Sequence, residues 1–369
     1  MGKPIVAMKQ LFLIASCVLA MMLSASCADR LSETGAGSLS IVISDADGLS
    51  TKASDVTELA YEKAVNNLQI FIFEGETLFR YEKVTSGIGS LPWSTTYPDL
   101  KAGSYKVYVV ANAADLGSVA SETALQEQVV LLSDCRLDAA GFVMAGSATA
   151  AVGGGSTATA AVALTRFAAR VRLVSIENQV PATYASGGAV TVKSVFLINA
   201  LGTWNLGGGG AASEWVNLGG RAAGRQASTT RSDYIAAPSQ VNPAAYQPQV
   251  FRTDGSSVAR GVRKDYADYC FYSFPNAVTT DHTGSTATTA AGALARLVVL
   301  ATVNGADWWY PVTLFKEGKG LERNTSYDVR LILRATGSAD PNEPVGKGSL
   351  TASVSVNPWT PGAEYTETI

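Results

Sequence analysis

The sequence predicts an all-β chain folded as two β-sandwich domains in tandem with few short helices. Three observations carry that prediction. Short runs rich in Val, Ile, Tyr and Phe alternate apolar with polar residues at a period of two. Clusters of Gly, Ser, Pro, Asp and Asn separate them, which is the spacing of sandwich strands and turns. The 369 residues supply two cores at roughly 100–200 residues per domain, and a charged content of 16% against roughly 25% in an average soluble protein argues against disorder over most of the length.

In chain order, strands are expected at 38–44 (Ser-Leu-Ser-Ile-Val-Ile-Ser), 67–73, 78–84, 104–112, 141–146, 156–164 and 168–176. Further strands follow at 189–199, 269–274, 293–303, 308–315, 327–335 and 350–356. Only 115–128, with Ala, Glu, Gln and Leu after the turn at Asn112, reads as a helix. The small-residue stretch 148–163 gives way to Arg166-Phe-Ala-Ala-Arg-Val-Arg-Leu173, and this shift places a domain boundary near 165. Residues 205–265 carry few apolar runs and read as the least structured part. No internal repeat stands out beyond two domains of similar β character.

Several functions fall away on composition. The formal net charge is −3 and no Lys/Arg cluster could track a phosphate backbone, so nucleic acid is not expected as a partner. His282 is the single histidine, which leaves no multi-histidine metal site and no pair of catalytic histidines. The glycine run 207–210 is followed by no Lys-Ser/Thr and sits in no βαβ unit, so it reads as a loop and not a phosphate cradle. Asp340-Pro-Asn-Glu-Pro lacks the spacing of a calcium loop and reads as a stiffened turn. The acids are scattered singly in polar turns, with no carboxylate pair that sequence can place across a cleft. Trp308-Trp309-Tyr310 is the best candidate for a sugar-stacking platform, although strand alternation puts Trp309 on the face opposite Trp308 and Tyr310. No cofactor, no metal and no enzymatic activity are expected.

Residues 1–26 read as a secretory signal: Lys9 precedes the apolar run 11–23, which is too short and too interrupted for a membrane span, and Met8 makes the better start. Cys27, in Leu-Ser-Ala-Ser-Cys-Ala-Asp, resembles a bacterial lipoprotein cleavage site. Cys17 fits the letters of that site better but would leave the apolar residues 18–23 exposed behind the lipid, so Cys27 is preferred over it and over ordinary export with an unmodified thiol. Cys135 and Cys270 remain, as a disulfide or as two buried thiols.

In order along the chain come the lipoprotein signal, Thr51-Lys52-Ala53, Leu68-Gln-Ile-Phe-Ile-Phe-Glu74, and Ala102-Gly-Ser-Tyr-Lys-Val-Tyr-Val-Val-Ala-Asn112. Leu164-Thr-Arg-Phe-Ala-Ala-Arg-Val-Arg-Leu173, Leu321-Glu-Arg-Asn-Thr-Ser-Tyr-Asp-Val329, Gly337-Ser-Ala-Asp-Pro341 and Val354-Ser-Val-Asn-Pro-Trp359 follow. This series resembles the fimbrillin family, the subunits of Bacteroidales type V pili, and over 320–360 it is similar to the Mfa-type major subunits. The resemblance implies transthyretin-like sandwiches and a structural stalk subunit of a surface fimbrium that supports adhesion and biofilm formation. It implies export as an outer-membrane lipoprotein precursor, removal of an N-terminal strand by a surface protease, and polymerisation by donor-strand exchange into an extracellular fibre. Implied partners are further copies of the chain, related subunits, the outer membrane through the precursor's lipid, and a host or bacterial surface receptor.

On that reading the chain divides into a signal (1–26), a propeptide (27–52), a first domain (53–164) and a second domain (165–369) whose donor tail covers about 350–369. The removable strand carries Leu39, Ile41 and Ile43. Known fimbrillins are cut after Arg, yet Arg30 precedes this strand and is the only Arg between Cys27 and the groove-forming sequence, so a trypsin-like cut between Lys52 and Ala53 is expected. The donor carries Leu350, Val354 and Val356, then Trp359, then Tyr365 and Ile369 in a second short strand. A tip or accessory adhesin and a monomeric glycan-binding surface lipoprotein are the alternatives.

Overall fold

The computed structural model describes residues 35–45, 58–208, 215–216, 243–278, 294–315, 318–341, 343–346, 348–358 and 365–368. Seven strands open the chain's architecture: β1 (Gly37–Asp45), β2 (Leu68–Glu74), β3 (Thr77–Val84), β4 (Trp93–Leu100), β5 (Gly103–Ala111), β7 (Met144–Val152) and β8 (Thr157–Arg166), with the short β6 (Val129–Leu131) set apart from them. They join in the order β3-β2-β5-β7-β8-β1-β4. The path folds over at β7 and β8, which pair only through Met144 with Arg166 and Ala145 with Thr165. There the backbones approach so closely that a Cβ on Gly146 would lie 2.1 Å from the carbonyl oxygen of Ala163. Two layers result, β3-β2-β5-β7 and β8-β1-β4, closing on a core built from inward residues of both, including Ile70, Val107 and Val109 on one side and Leu39, Ile41 and Val162 on the other.

β2 explains why the molecule is thicker than one sandwich. Leu68-Gln-Ile-Phe-Ile-Phe is buried at every position, as a strand covered on both faces should be. Its Leu68, Ile70 and Ile72 face the first core, whereas Phe71 and Phe73 enter a second and larger core shared with the strands that follow.

Those strands are β9 (Ala169–Asn178), β10 (Ala189–Ile198), β11 (Ala200–Leu201), β12 (Thr203–Asn205), β13 (Trp215–Val216), β14 (Phe251–Thr253), β15 (Ser257–Ala259), β16 (Arg263–Asp265) and β17 (Cys270–Ser273). β18 (Arg296–Val303), β19 (Ala306–Thr313), β20 (Thr325–Leu333), β21 (Leu350–Pro358) and β22 (Tyr365–Thr368) complete the set. One sheet runs β14-β10-β18-β19 with β15 also on β10, and the other runs β16-β9-β20-β21-β22 with β17 also on β9. Val171, Val329 and Leu331 of the latter meet Val195, Leu297 and Val299 of the former inside the larger core. The short β12 crosses back to pair with β6.

The all-β sandwich expectation holds, and the helical expectation is cut down. Of 115–128 only α2 (Glu122–Gln126) is helical, after the short α1 (Ala60–Lys63). Gly117 takes a left-handed φ of 65° ahead of it, and the Ser121 hydroxyl caps α2 by accepting from the Ala124 amide at 3.1 Å. β4 was not anticipated, and the strand expected at 141–146 starts at Met144 and runs on to Val152. The described residues of the span 205–265 include a helix, α3 (Pro243–Val250), and four short strands, β13 to β16.

Candidate functional site

β1 lies inside its sheet and not at an edge. It pairs parallel with β8 from Ser38 with Thr157 to Asp45 with Leu164, and antiparallel with β4 from Gly37 with Leu100 to Ile43 with Trp93. The period-two pattern turns Leu39, Ile41 and Ile43 inward, where all three are fully buried against residues such as Tyr97, Leu100 and Val162. Each such side chain stabilises its seat by about 1.5–3 kcal/mol relative to exposure. Without β1, the facing edges of β8 and β4 would stand unpaired above an apolar trough.

The end of β1 is sterically selective. A Cβ at Gly37 would come within 2.3 Å of the Gly153 carbonyl oxygen and 2.9 Å of that of Ser156. Beside it the Ser38 amide donates to the Ser156 carbonyl at 2.9 Å, and the Ser38 and Thr157 hydroxyls lie 2.6 Å apart.

After the span that separates β1 from it, the chain is fastened by α1 to the strands of the second core. Glu62 is fully buried, and its carboxylate accepts from Arg170 Nη1 at 2.8 Å, from the Tyr272 hydroxyl at 2.7 Å and from the Leu59 amide at 2.7 Å. Arg166 adds Nε to the Glu62 carbonyl at 2.6 Å and Nη2 to Glu58 at 2.7 Å. Burial drives the Tyr272 hydroxyl well above its ordinary pKa and that of Tyr61, 3.1 Å away, up to about 12, so both remain protonated.

At the far end, β21 pairs with β20 along its full length, from Thr325 with Pro358 to Leu333 with Leu350. Val354 is buried and Leu350 and Val356 pack partly against the larger core, while β22 adds outside β21 with Tyr365 opposite Val356. β1 and β21 therefore belong to different sheets and do not meet within one chain. Cys27, Lys52, Ala53, Trp359, Ile369 and His282 lie outside the described residues.

Trp308-Trp309-Tyr310 makes no sugar platform: Trp309 is buried with Phe196, Val298 and Leu300, and Tyr310 is buried on the opposite face in the larger core. Cys135 and Cys270 are both free and buried. Among the described residues no cluster of His, Cys, Asp or Glu could hold a metal ion, and no helix is long and apolar enough to cross a membrane. A cleft of about 400 Å³ opens between Trp204, Pro275–Ala277 and Gly318–Arg323. Sequence reasoning missed the Glu62 cluster and the steric demand at Gly37. The signal for the first lay in Arg166, Arg170 and Arg172, spaced through an apolar run that had to bury some of them.

Residues 37–186 match the family described as major fimbrial subunit protein (FimA), and the match opens on Gly37, the first residue of β1. Over this segment the chain is similar to the fimbrial subunits of that family. Solved structures are similar over the whole fold. A Porphyromonas gingivalis fimbrilin is similar with a TM-score of 0.57 at 14% identity, covering 89% of this chain and 99% of that one. A candidate cell adhesion protein of Bacteroides eggerthii gives 0.59 at 19%, covering 89% and 98%. The C-terminally truncated tip fimbrial protein Mfa3 of P. gingivalis gives 0.50 at 14%, covering 88% and 100%. Among curated proteins, none matches the sequence significantly. The match over 37–186 supports a fimbrial or adhesion-related surface protein and points to a structural role.

Proposed function

We propose that this chain is a stalk subunit of a cell-surface fimbrium, exported as a precursor lipidated at Cys27, cut between Lys52 and Ala53, and polymerised when the tail of one copy replaces β1 of the next. The observation that carries the reading is the place of β1. It is a central strand, flanked on both sides, yet its only covalent link to the rest of the described fold runs through the span 46–57, which contains the expected cut. Once that span is cut, β1 is held by non-covalent contacts, chiefly three buried aliphatic side chains and two ladders, and another strand can compete for its place by β-augmentation.

The tail suits the donor role by topology. In the first sandwich the opening strand β1 pairs parallel with the closing strand β8; in the second, β9 pairs parallel with β20 in the same way. β21 and β22 follow β20 and have no counterpart after β8. The domain limits 53–164 and 165–369 belong to this proposal. Limited trypsin treatment of the precursor followed by intact-mass analysis tests it. A core starting at Ala53 that forms SDS-resistant ladders is expected, and a core that retains residues 38–44 sinks the proposal.

The ladder that β21 makes with β20 over its whole length favours, as a second reading, a tip or accessory subunit that keeps its tail. Cut protein that caps fibres without elongating them would select it.

A further inference from the structure

The two strands that the proposed exchange would swap share a sequence. Residues 35–44 read Gly-Ala-Gly-Ser-Leu-Ser-Ile-Val-Ile-Ser and residues 346–355 read Gly-Lys-Gly-Ser-Leu-Thr-Ala-Ser-Val-Ser. Gly35, Gly37, Ser38, Leu39 and Ser44 recur as Gly346, Gly348, Ser349, Leu350 and Ser355, and Ile43 recurs as Val354. This is an internal repeat, contrary to the expectation of none.

The glycines make the repeat informative, because only one copy of it needs them. At Gly37 the surrounding backbone leaves no room for a Cβ, and at Gly35 a Cβ would sit 3.3 Å from the Gly155 amide nitrogen. At Gly346 and Gly348 a Cβ would meet nothing within 4 Å, and neither residue has a positive φ. The tail thus carries glycine where its own seat makes no demand for it, in the pattern that the seat of β1 does demand.

We propose that the tail of a second copy enters the β1 groove in one register, with Gly348 at the place of Gly37, Leu350 at Leu39, Ala352 at Ile41 and Val354 at Ile43. The proposal rests on the donor-strand reading above and specifies its geometry. Sliding the tail by one residue turns its apolar face outward. Sliding it by two in one direction drives Leu350 into the Gly37 seat, where even a Cβ does not fit. Sliding it by two in the other direction sets Gly348 in the Leu39 seat and leaves an empty, fully buried pocket. In the proposed register Ser349 takes over the contact of Ser38 with the Thr157 hydroxyl. Thr351, in the place of Ser40, comes to lie opposite Thr96 of β4.

The test uses the full chain, cut with trypsin and allowed to polymerise. Gly348→Ala adds a methyl to open space in the precursor, so its melting temperature should match wild type, while its rate of fibre growth should fall at least ~tenfold because the Gly37 seat is overpacked. Thr351→Cys with Thr96→Cys should give a ladder of disulfide-linked oligomers after mild oxidation, and Ser353→Cys with Thr96→Cys should not. Fibres from Gly348→Ala at the wild-type rate, or a ladder from the Ser353 pair, overturn the register while leaving strand exchange intact. Failure of wild-type cut protein to polymerise at all overturns the functional reading on which the register rests.

Discussion

Arg170 donates from Nη1 to Oε2 of Glu62 at 2.8 Å, and neither side chain is reached by solvent. Glu62 belongs to α1, at the start of the first sandwich's continuous chain, and Arg170 to β9, so the pair ties the two cores together just after the span in which β1 would be severed. Burying two charges is costly unless their remaining donors and acceptors are also met, and here Tyr272 and the Leu59 amide complete the carboxylate. Glu62→Ala should therefore destabilise the protein by about 3–5 kcal/mol, because it strands a buried guanidinium. Replacing both, as Glu62→Leu with Arg170→Leu, should recover most of that loss. Urea unfolding of the three proteins measures it; equal midpoints for the single and double variants would refute the pair's role.

Ile41 sits at the middle of β1 with no solvent exposure. Ile41→Ala should cost the intact precursor about 2–5 kcal/mol, from lost transfer energy and the cavity left behind. The same substitution should leave the assembled fibre unchanged, since in the proposed cycle the residue has departed with its strand. Matched urea melts of precursor and fibre read this contrast, and a weakened fibre would mean that β1 stays.

Among the described residues β22 is bonded only to β21, on the outside of the sheet. Deleting residues 363–369 removes that outer strand and should leave a folded, proteolytically cleavable monomer of near wild-type stability. Fibre elongation should be lost if the donor extends through Tyr365 and Ile369. Fibres of normal length from the truncated chain, seen by negative-stain microscopy, would confine the donor to β21.

How much of this was legible in sequence depended on what each strand had to bury. β1, β2, β5 and β20 were readable within a residue or two because each carries its own apolar alternation or an unbroken apolar run. β4 was not, because an edge strand has one neighbour and only Tyr97 and Leu100 of it are buried. It tolerates Pro98, and Asp99 takes a left-handed φ of 61°, both of which argue locally against a strand. α1 escaped notice because four residues carry no period, and its significance lies in the single carboxylate it delivers. The demand at Gly37 could not be read from glycine alone, because it arises from Gly153 and Ser156, over a hundred residues away.

The two free thiols give a pH dependence whose sign is opposite to ordinary acid denaturation. Burial pushes Cys135 up to about 12 and Cys270 up to about 11, the latter partly offset by Arg170 nearby. In the unfolded chain both would titrate near ~8.5. Between those limits the unfolded state binds fewer protons than the native one, so stability falls as pH rises, by about 1.4 kcal/mol per pH unit for each thiol. Burial likewise raises Tyr61 and Tyr327 to about 12, and they steepen the fall once their unfolded counterparts ionise above ~10. Urea midpoints should therefore drop between about pH 8 and about pH 10, and the Cys135→Ala, Cys270→Ala double variant should lose most of that slope. Native protein at neutral pH should resist alkylating reagents at both positions and react at both once unfolded; a midpoint that holds steady to about pH 10, or rapid native alkylation, would contradict the buried thiols.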